Sequence, residues 1–156
     1  TTVIGLGERA GNASFEQISM AMKHLYGEKR AFEAGAMHAL VNLVAKAAGM
    51  TLPSNAPIFG EHIFAHESGI HADGMMKNSL AYEPFDAIEV EGLREFPIGK
   101  HSGTGTIMYH LSELGIFAEK QTLQKLLPRI REIVTSRKRV IDDNELISLY
   151  KESLCL

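Results

Sequence analysis

One cysteine in 156 residues leaves this chain no partner for an intrachain disulfide. Cys155 stands beside the last residue, and the compartment that fits is a reducing one, the cytoplasm. No apolar run approaches the roughly 18 residues of a membrane span, and the opening TTVIGLGERAGN has no signal-peptide layout. Excess charge of one sign is missing too. A net charge of −3 provides no electrostatic reason to expect nucleic acid or an anionic membrane as partner. There are no repeats, no low-complexity segments and no initiator methionine, so the chain reads as processed or as a piece of something longer. What is present is ordinary for a soluble globular protein: 45% hydrophobic and 22% charged residues, with length enough for a real core.

Punctuation and periodicity predict a mainly helical chain. TTVIGLG reads as a short buried strand ending in glycines. Ser14 with Gln17 forms a capping box, and Phe15, Ile18, Met22 and Leu25 follow at helical spacing to about Tyr26, with Gly27 as the stop. AFEAGAMHALVNLVAKAAG, residues 31–49, is a second helix with Met37, Leu40, Val41, Val44 and Ala48 on one face. PSNAPIFGEH is a loop, MMKNSLAYEPFDAIEV a short helix and an exposed connection, and REFPIGKHSG a brief strand into a turn. TGTIMYHLSELG is a helix ending at Gly115. KQTLQKLLPRIREIVTSRKR is a long amphipathic helix that Pro128 should kink. Asp142 and Glu145 open a last helix, NELISLYKE, with a second capping box. The fold class is α-rich α+β. A lone strand cannot satisfy its own backbone groups, so TTVIGLG asks for a sheet outside this chain, the best internal sign of a fragment.

Four stretches carry possible chemistry. GLGERA matches the loose dinucleotide fingerprint G-x-G-x-x-A, but no second strand with an acidic ribose ligand follows. It reads better as a tight turn presenting Glu8, Arg9 and Asn12 at the end of a strand. In FAHESGIHADG, residues 64–74, His66 and His71 are five apart. At about 100° per residue the two rings fall some 140° apart around a helix, so the zincin arrangement H-E-x-x-H is not met. A loop can still aim one imidazole into a cleft for proton transfer near neutral pH. The bland reading for His66 and Glu67 is hydrogen bonding to the loop's own backbone; for His71 the two readings balance. GKHSG, residues 99–103, suits either an anion held by Lys100 and free N–H groups or a turn with a polar cap. SRKR at 136–139 is the solvated end of a helix.

GLGERAGNAS, FAHESGIHADG and IGKHSG, in this order and at these separations, together resemble the C-terminal half of the 2-isopropylmalate synthase and homocitrate synthase family, which includes citramalate synthases and the Re-face citrate synthases. The likeness covers nearly the whole chain, from residue 3 to about residue 150. It implies an acyltransferase that joins acetyl-CoA to a 2-oxo acid by a Claisen-type condensation and then hydrolyses the thioester. It also implies a TIM barrel followed by helical subdomains and a homodimer. On that template residues 1–27 are the last barrel strand and helix, 28–55 a linker helix, 56–103 a subdomain covering the active site of a neighbouring subunit, and 104–156 a helical C-terminal subdomain.

The resemblance also implies roles. Asn12 matches the asparagine at, or one water from, a divalent metal (zinc, manganese or magnesium), and Glu8 the acidic residue of the same turn. His71 matches the histidine assigned to proton transfer with acetyl-CoA, and Tyr82, eleven residues on, the tyrosine beside it. The metal would polarise the 2-oxo carbonyl while a base with a pKa near the operating pH removes a methyl proton. The family's main metal ligands, an early acidic residue and an H-x-H pair, have no counterpart here, nor does the barrel arginine that contacts the 2-oxo acid. Ile4 stands where many members carry Asn. The isolated chain is therefore expected to be inactive. A natural end after DDNELISLYKESLCL would favour homocitrate synthase or Re-citrate synthase over the members with a further regulatory domain. The competing class is a non-catalytic helical module for dimerisation or regulation.

Overall fold

Each helix starts and stops where local chemistry allows. The computed structural model describes residues 1–28 and 33–154; Cys155 and the first two residues of the expected second helix lie outside them. Six α-helices are present: α1 (Phe15–Tyr26), α2 (Ala34–Ala47), α3 (Gly69–Lys77), α4 (Thr104–Glu113), α5 (Lys120–Arg137) and α6 (Asp143–Leu154). Gly27, in the left-handed region at φ 67°, ends α1 as expected. The capping box before α6 is formed: Glu145 N–H donates to Asp142 Oδ1 (2.9 Å) and Asp142 N–H to Glu145 Oε2 (3.4 Å). The one before α1 is not. Ser14 makes no capping hydrogen bond, and its buried hydroxyl has no partner. Backbone ties replace it, with Phe15 N–H on Thr2 O and Thr2 N–H on Ala13 O.

Two compact units result, Thr1–Phe64 with Glu83–Arg94, and Ala65–Tyr82 with Glu95–Leu156. Residues 56–103 contribute to both. In the first unit, Met20, Phe64, Phe85, Ala87 and Val90 form a core cluster. On α2, Met37, Val41 and Ala45 are buried at a spacing of four, while Leu40 and Ala48, expected on that face, are exposed. The expected face of α1 is exposed as well: Ile18 44%, Met22 41% and Leu25 76%. Glu83 and Arg94 form a bidentate pair, Nη2 to Oε2 at 2.6 Å and Nε to Oε1 at 3.0 Å, in the fork geometry that suits a largely buried carboxylate. The expected strand at the front is instead a 3₁₀ turn, Val3–Gly5, with an isolated parallel bridge from Thr2 to Ser14. With no neighbouring strand among the described residues, the segment takes its hydrogen bonds locally, Leu6 N–H to Val3 O and Ile4 N–H to Glu16 Oε2.

The second unit holds α3 to α6. Leu123, Leu126, Ile130 and Val134 line one face of α5 and are buried with Ile98, Ile107, Leu111, Ile141, Leu146, Leu149 and Tyr150. Full burial of each large aliphatic side chain contributes about 1.5–3 kcal/mol. The α5 helix runs unbroken through Pro128. Proline removes the donor to the Gln124 carbonyl, but both residues face solvent, where water replaces the lost bond. REFPIGKHSG contributes bridges rather than a strand, Ala65 to Glu95 and Ile98 to Ile141. The β component of the expected α+β class is thus reduced, among the described residues, to isolated bridges. None of the described helices is long and apolar enough to cross a membrane.

Candidate active site

FAHESGIHADG is not a loop throughout. Ser68 is the N-cap of α3, and Gly69 to Gly74 are helical, so His71 stands in the first turn of a helix. The start of that helix is tied to IGKHSG from both sides. Glu67 Oε1 accepts the His101 N–H (2.9 Å), and Gly69 N–H donates to His101 O (3.1 Å). Gly99 makes room for this: a Cβ there would fall inside the Glu67 carboxyl group. Ser102, fully buried, accepts the Gly99 N–H (2.9 Å) and donates to Pro97 O (3.0 Å). The Gly99, His101 and Ser102 N–H groups of this turn are thereby engaged within the chain. Glu67 bonds the backbone of the other motif rather than its own. His66 N–H pairs with Glu95 O (2.9 Å), and its ring lies 6.3 Å from Phe96.

Past Lys77 the helix stops at Asn78, whose extended backbone (φ −154°) turns the chain and whose side chain caps a 3₁₀ turn, Ser79–Ala81, by accepting Leu80 N–H. That reversal returns Tyr82 to α3. The His71 and Tyr82 rings come to 4.3 Å between centroids at 40°. Tyr82 is 49% exposed and His71 is exposed, so a reactant can reach both. No hydrogen bond to another described residue occupies the His71 ring. Asp73, its neighbour, is held by Lys77 (2.6 Å). The arrangement is an accessible imidazole backed by an aromatic ring with a phenolic hydroxyl, two groups able to give or take a proton.

Glu8 and Asn12 lie in the first unit, in the turn after the 3₁₀ segment. Gly11 N–H bonds Glu8 O (2.9 Å), Asn12 N–H bonds Gly5 O (2.9 Å), and Asn12 Nδ2 donates to Leu6 O (3.1 Å). The Asn12 amide therefore braces the turn. No group of three or more His, Cys, Asp or Glu side chains that would hold a metal occurs among the described residues. Asn12 is thus at most one contributor to such a centre, and the described residues by themselves do not fit the metal.

SRKR and GKHSG, far apart in sequence, share a shallow cavity of about 390 Å³ whose lining includes Glu67, Lys100, His101, Lys138 and Arg139. Glu145 engages Arg139 through both oxygens and Arg137 through one, in keeping with the reading of SRKR as a solvated helix end. No motif or spacing points to His110, which spans Asp143 Oδ1 (2.9 Å) and Phe96 O (2.7 Å) with its two ring nitrogens. Only the fold brings those partners together.

Comparison with known proteins agrees with the motifs. The family profile described as "Homocitrate synthase post-HMGL domain-like" matches residues 58–138, the segment holding FAHESGIHADG, Tyr82 and IGKHSG. Homocitrate synthase 1 of Nostoc sp. is 43% identical over 152 residues, 97% of this chain and 40% of that protein. The 2-isopropylmalate synthase 2 of Caldanaerobacter subterraneus subsp. tengcongensis is 42% identical over 97% of this chain and 39% of its own length. The (R)-citramalate synthase of Methanocaldococcus jannaschii is 37% identical over 97% of this chain and 30% of its own length. The chain thus spans about two fifths or less of these relatives. They are named for three different products, so overall identity does not select one. By profile, motifs and relatives, the chain belongs to the 2-isopropylmalate synthase and homocitrate synthase family and matches its C-terminal half.

Proposed function

We propose that this chain is the C-terminal part of an acetyl-CoA-dependent acyltransferase, with His71 as its proton-transfer group and Tyr82 beside it. The observation that carries this reading is the convergence of His71 and Tyr82 to 4.3 Å on an accessible surface, built by a helix start and a chain reversal. A base takes a methyl proton from acetyl-CoA. The resulting carbon nucleophile attacks the keto carbon of a 2-oxo acid, forming a C–C bond and an alcohol. Water then cleaves the thioester and releases the CoA thiol. His71 presents a ring nitrogen for the first transfer, and the Tyr82 hydroxyl is placed to donate to a developing oxyanion. Glu8 is assigned a supporting acidic role near the acceptor. 2-Oxoglutarate is the first acceptor to try, because the matching profile and several relatives carry the homocitrate synthase name.

The barrel that would complete this site is assigned to the rest of the protein. Residues 1–27 are its last strand and helix, 28–55 a linker, 56–103 the subdomain over the site of a second subunit in a homodimer, and 104–156 the helical end. Two observations support its first part, residues 1–27. Ile4 sits at φ 53°, ψ 18°, a left-handed conformation that β-branched residues avoid. On α1, Ile18, Met22 and Leu25 are left 44%, 41% and 76% exposed. Both are relieved if the front segment pairs as a strand and α1 packs on a barrel. Divalent metal, with Asn12 as one contributor, is then held mostly by residues outside this chain, and calorimetry on residues 1–156 alone should show no tight stoichiometric site.

The deciding assay is CoA-thiol release by the full-length protein, offered acetyl-CoA with a panel of 2-oxo acids. His71→Ala should lower acceptor-dependent turnover about 10²–10⁴-fold with an unchanged unfolding midpoint. Equal turnover in wild type and mutant, or a mutant that loses assembly instead, would turn the assignment towards a non-catalytic dimerisation or regulatory module.

A further inference from the structure

We propose that Gly74 is a positioning residue for Tyr82: the absence of a side chain at this point of α3 is what lets the tyrosine ring lie beside His71. The inference rests on the His71–Tyr82 reading above. Residues 71 and 74 are three apart on a helix and share a face. A Cβ built on Gly74 would stand 3.0 Å from Tyr82 Cε2 and 3.8 Å from Cδ2, and, among the described residues and apart from its chain neighbours and the helix's own backbone, no other atom lies within 4 Å of it. Carbon atoms in contact prefer about 3.5–4.0 Å. The ring would therefore have to give way by a few tenths of an ångström for a side chain at 74.

Nothing else in the structure calls for glycine at this position. Gly74 is absent from the left-handed glycines, which are Gly5, Gly11, Gly27, Gly49 and Gly115. Its carbonyl accepts Asn78 N–H at 2.8 Å in ordinary helical fashion. Glycine is among the poorest helix formers, and alanine the best. The sequence thus has a residue that weakens a nine-residue helix at a point where the tyrosine ring lies against it. Space for Tyr82 is the reason the geometry supplies.

This gives a signature in which stability and activity move in opposite directions. In the full-length protein, Gly74→Ala should raise the unfolding midpoint by about 1–3 °C. It should also lower kcat about 10-fold, because sub-ångström to ångström displacement of a reacting group costs one to two orders of magnitude. The acceptor KM should change less than about twofold, since the 2-oxo acid is held elsewhere. Gly74→Val should lower kcat further. In a Tyr82→Ala background, where the ring is gone, Gly74→Ala should leave kcat unchanged. Overturning results are equally plain. If Gly74→Ala lowers kcat by the same factor with and without Tyr82, glycine acts on something other than the tyrosine. If Gly74→Ala and Gly74→Val both leave kcat intact while Tyr82→Ala lowers it, the ring tolerates a side chain at 74 and the inference is wrong although the site reading stands. If Tyr82→Ala itself leaves kcat intact, the His71–Tyr82 reading fails and takes this one with it. Should Gly74→Ala fail to accumulate as folded protein, the stability prediction is already refuted, and Gly74→Ser provides the kinetic comparison.

Discussion

In the second unit the apolar stripe of α5 is buried to its last member, Leu123, Leu126, Ile130 and Val134, whereas in the first unit the stripe expected on α1 is half-buried at Phe15 and exposed at Ile18, Met22 and Leu25. Both helices show the same periodicity in sequence. Periodicity reports that a face has a partner; it does not report whether the partner belongs to the same chain. The contrast can be broken by truncation. Ile130→Ala removes a fully buried side chain and should cost about 2–5 kcal/mol in denaturant unfolding of residues 1–156. Leu25→Ala should change stability by no more than about 0.5 kcal/mol in the same experiment. Repeated in the full-length protein, Leu25→Ala should rise to a cost of about 2 kcal/mol or more if a barrel covers α1. A negligible cost in both settings would show that this face is simply solvated.

The two capping boxes offer a finer version of the same contrast. Asp142 accepts the Glu145 N–H at 2.9 Å, so Asp142→Ala should cost about 1 kcal/mol. Ser14 caps nothing, and its buried hydroxyl has no partner. Ser14→Ala should therefore be neutral or slightly stabilising, since it removes an unsatisfied polar group. Thermal melts of the two variants would decide it; a cost at Ser14 equal to that at Asp142 would mean that the serine caps α1 after all.

Most local signals can be read from sequence, the Ser14 capping box and the Pro128 kink excepted. Gly27 and Gly115 end helices, and Asp142 with Glu145 begins one, because the chemistry involved spans four residues or fewer. The amphipathic course of α5 was legible for the same reason. What escaped depended on distant partners. FAHESGIHADG reads as a loop because Gly69 and Gly74 weaken a helix, yet residues 69–77 are helical, with Glu67 and Gly69 anchored on His101 thirty-odd residues away. TTVIGLG reads as a strand from its β-branched residues, but a strand needs a neighbour, and here the segment forms a 3₁₀ turn. His71 and Tyr82 were singled out by family resemblance. Their approach to 4.3 Å required the Asn78 reversal, which no spacing rule supplies.

The smallest effect concerns charge, and it again separates the well-packed end of the chain from its front. Glu145 receives hydrogen bonds from Arg139, is further favoured by the Asp142 N–H and Arg137, and has its carboxyl lowered from 4.5 to about 2. A carboxyl whose folded pKa is depressed contributes stability above its unfolded pKa and loses it as pH falls through the folded one. That contribution should be present above about pH 4.5 and disappear between there and about pH 2. Glu145→Gln keeps the side-chain oxygen that completes the capping box and removes only the charge. Its melting midpoint should lie slightly below wild type at neutral pH, and the two curves should converge as pH falls across that window. Because the ion pair is solvent-exposed, the gap should narrow in high salt. Parallel curves from pH 5 down to pH 2.5 would mean that Arg137 and Arg139 hold the helix end without help from this charge, leaving α6 to depend on its buried face, Leu146, Leu149 and Tyr150.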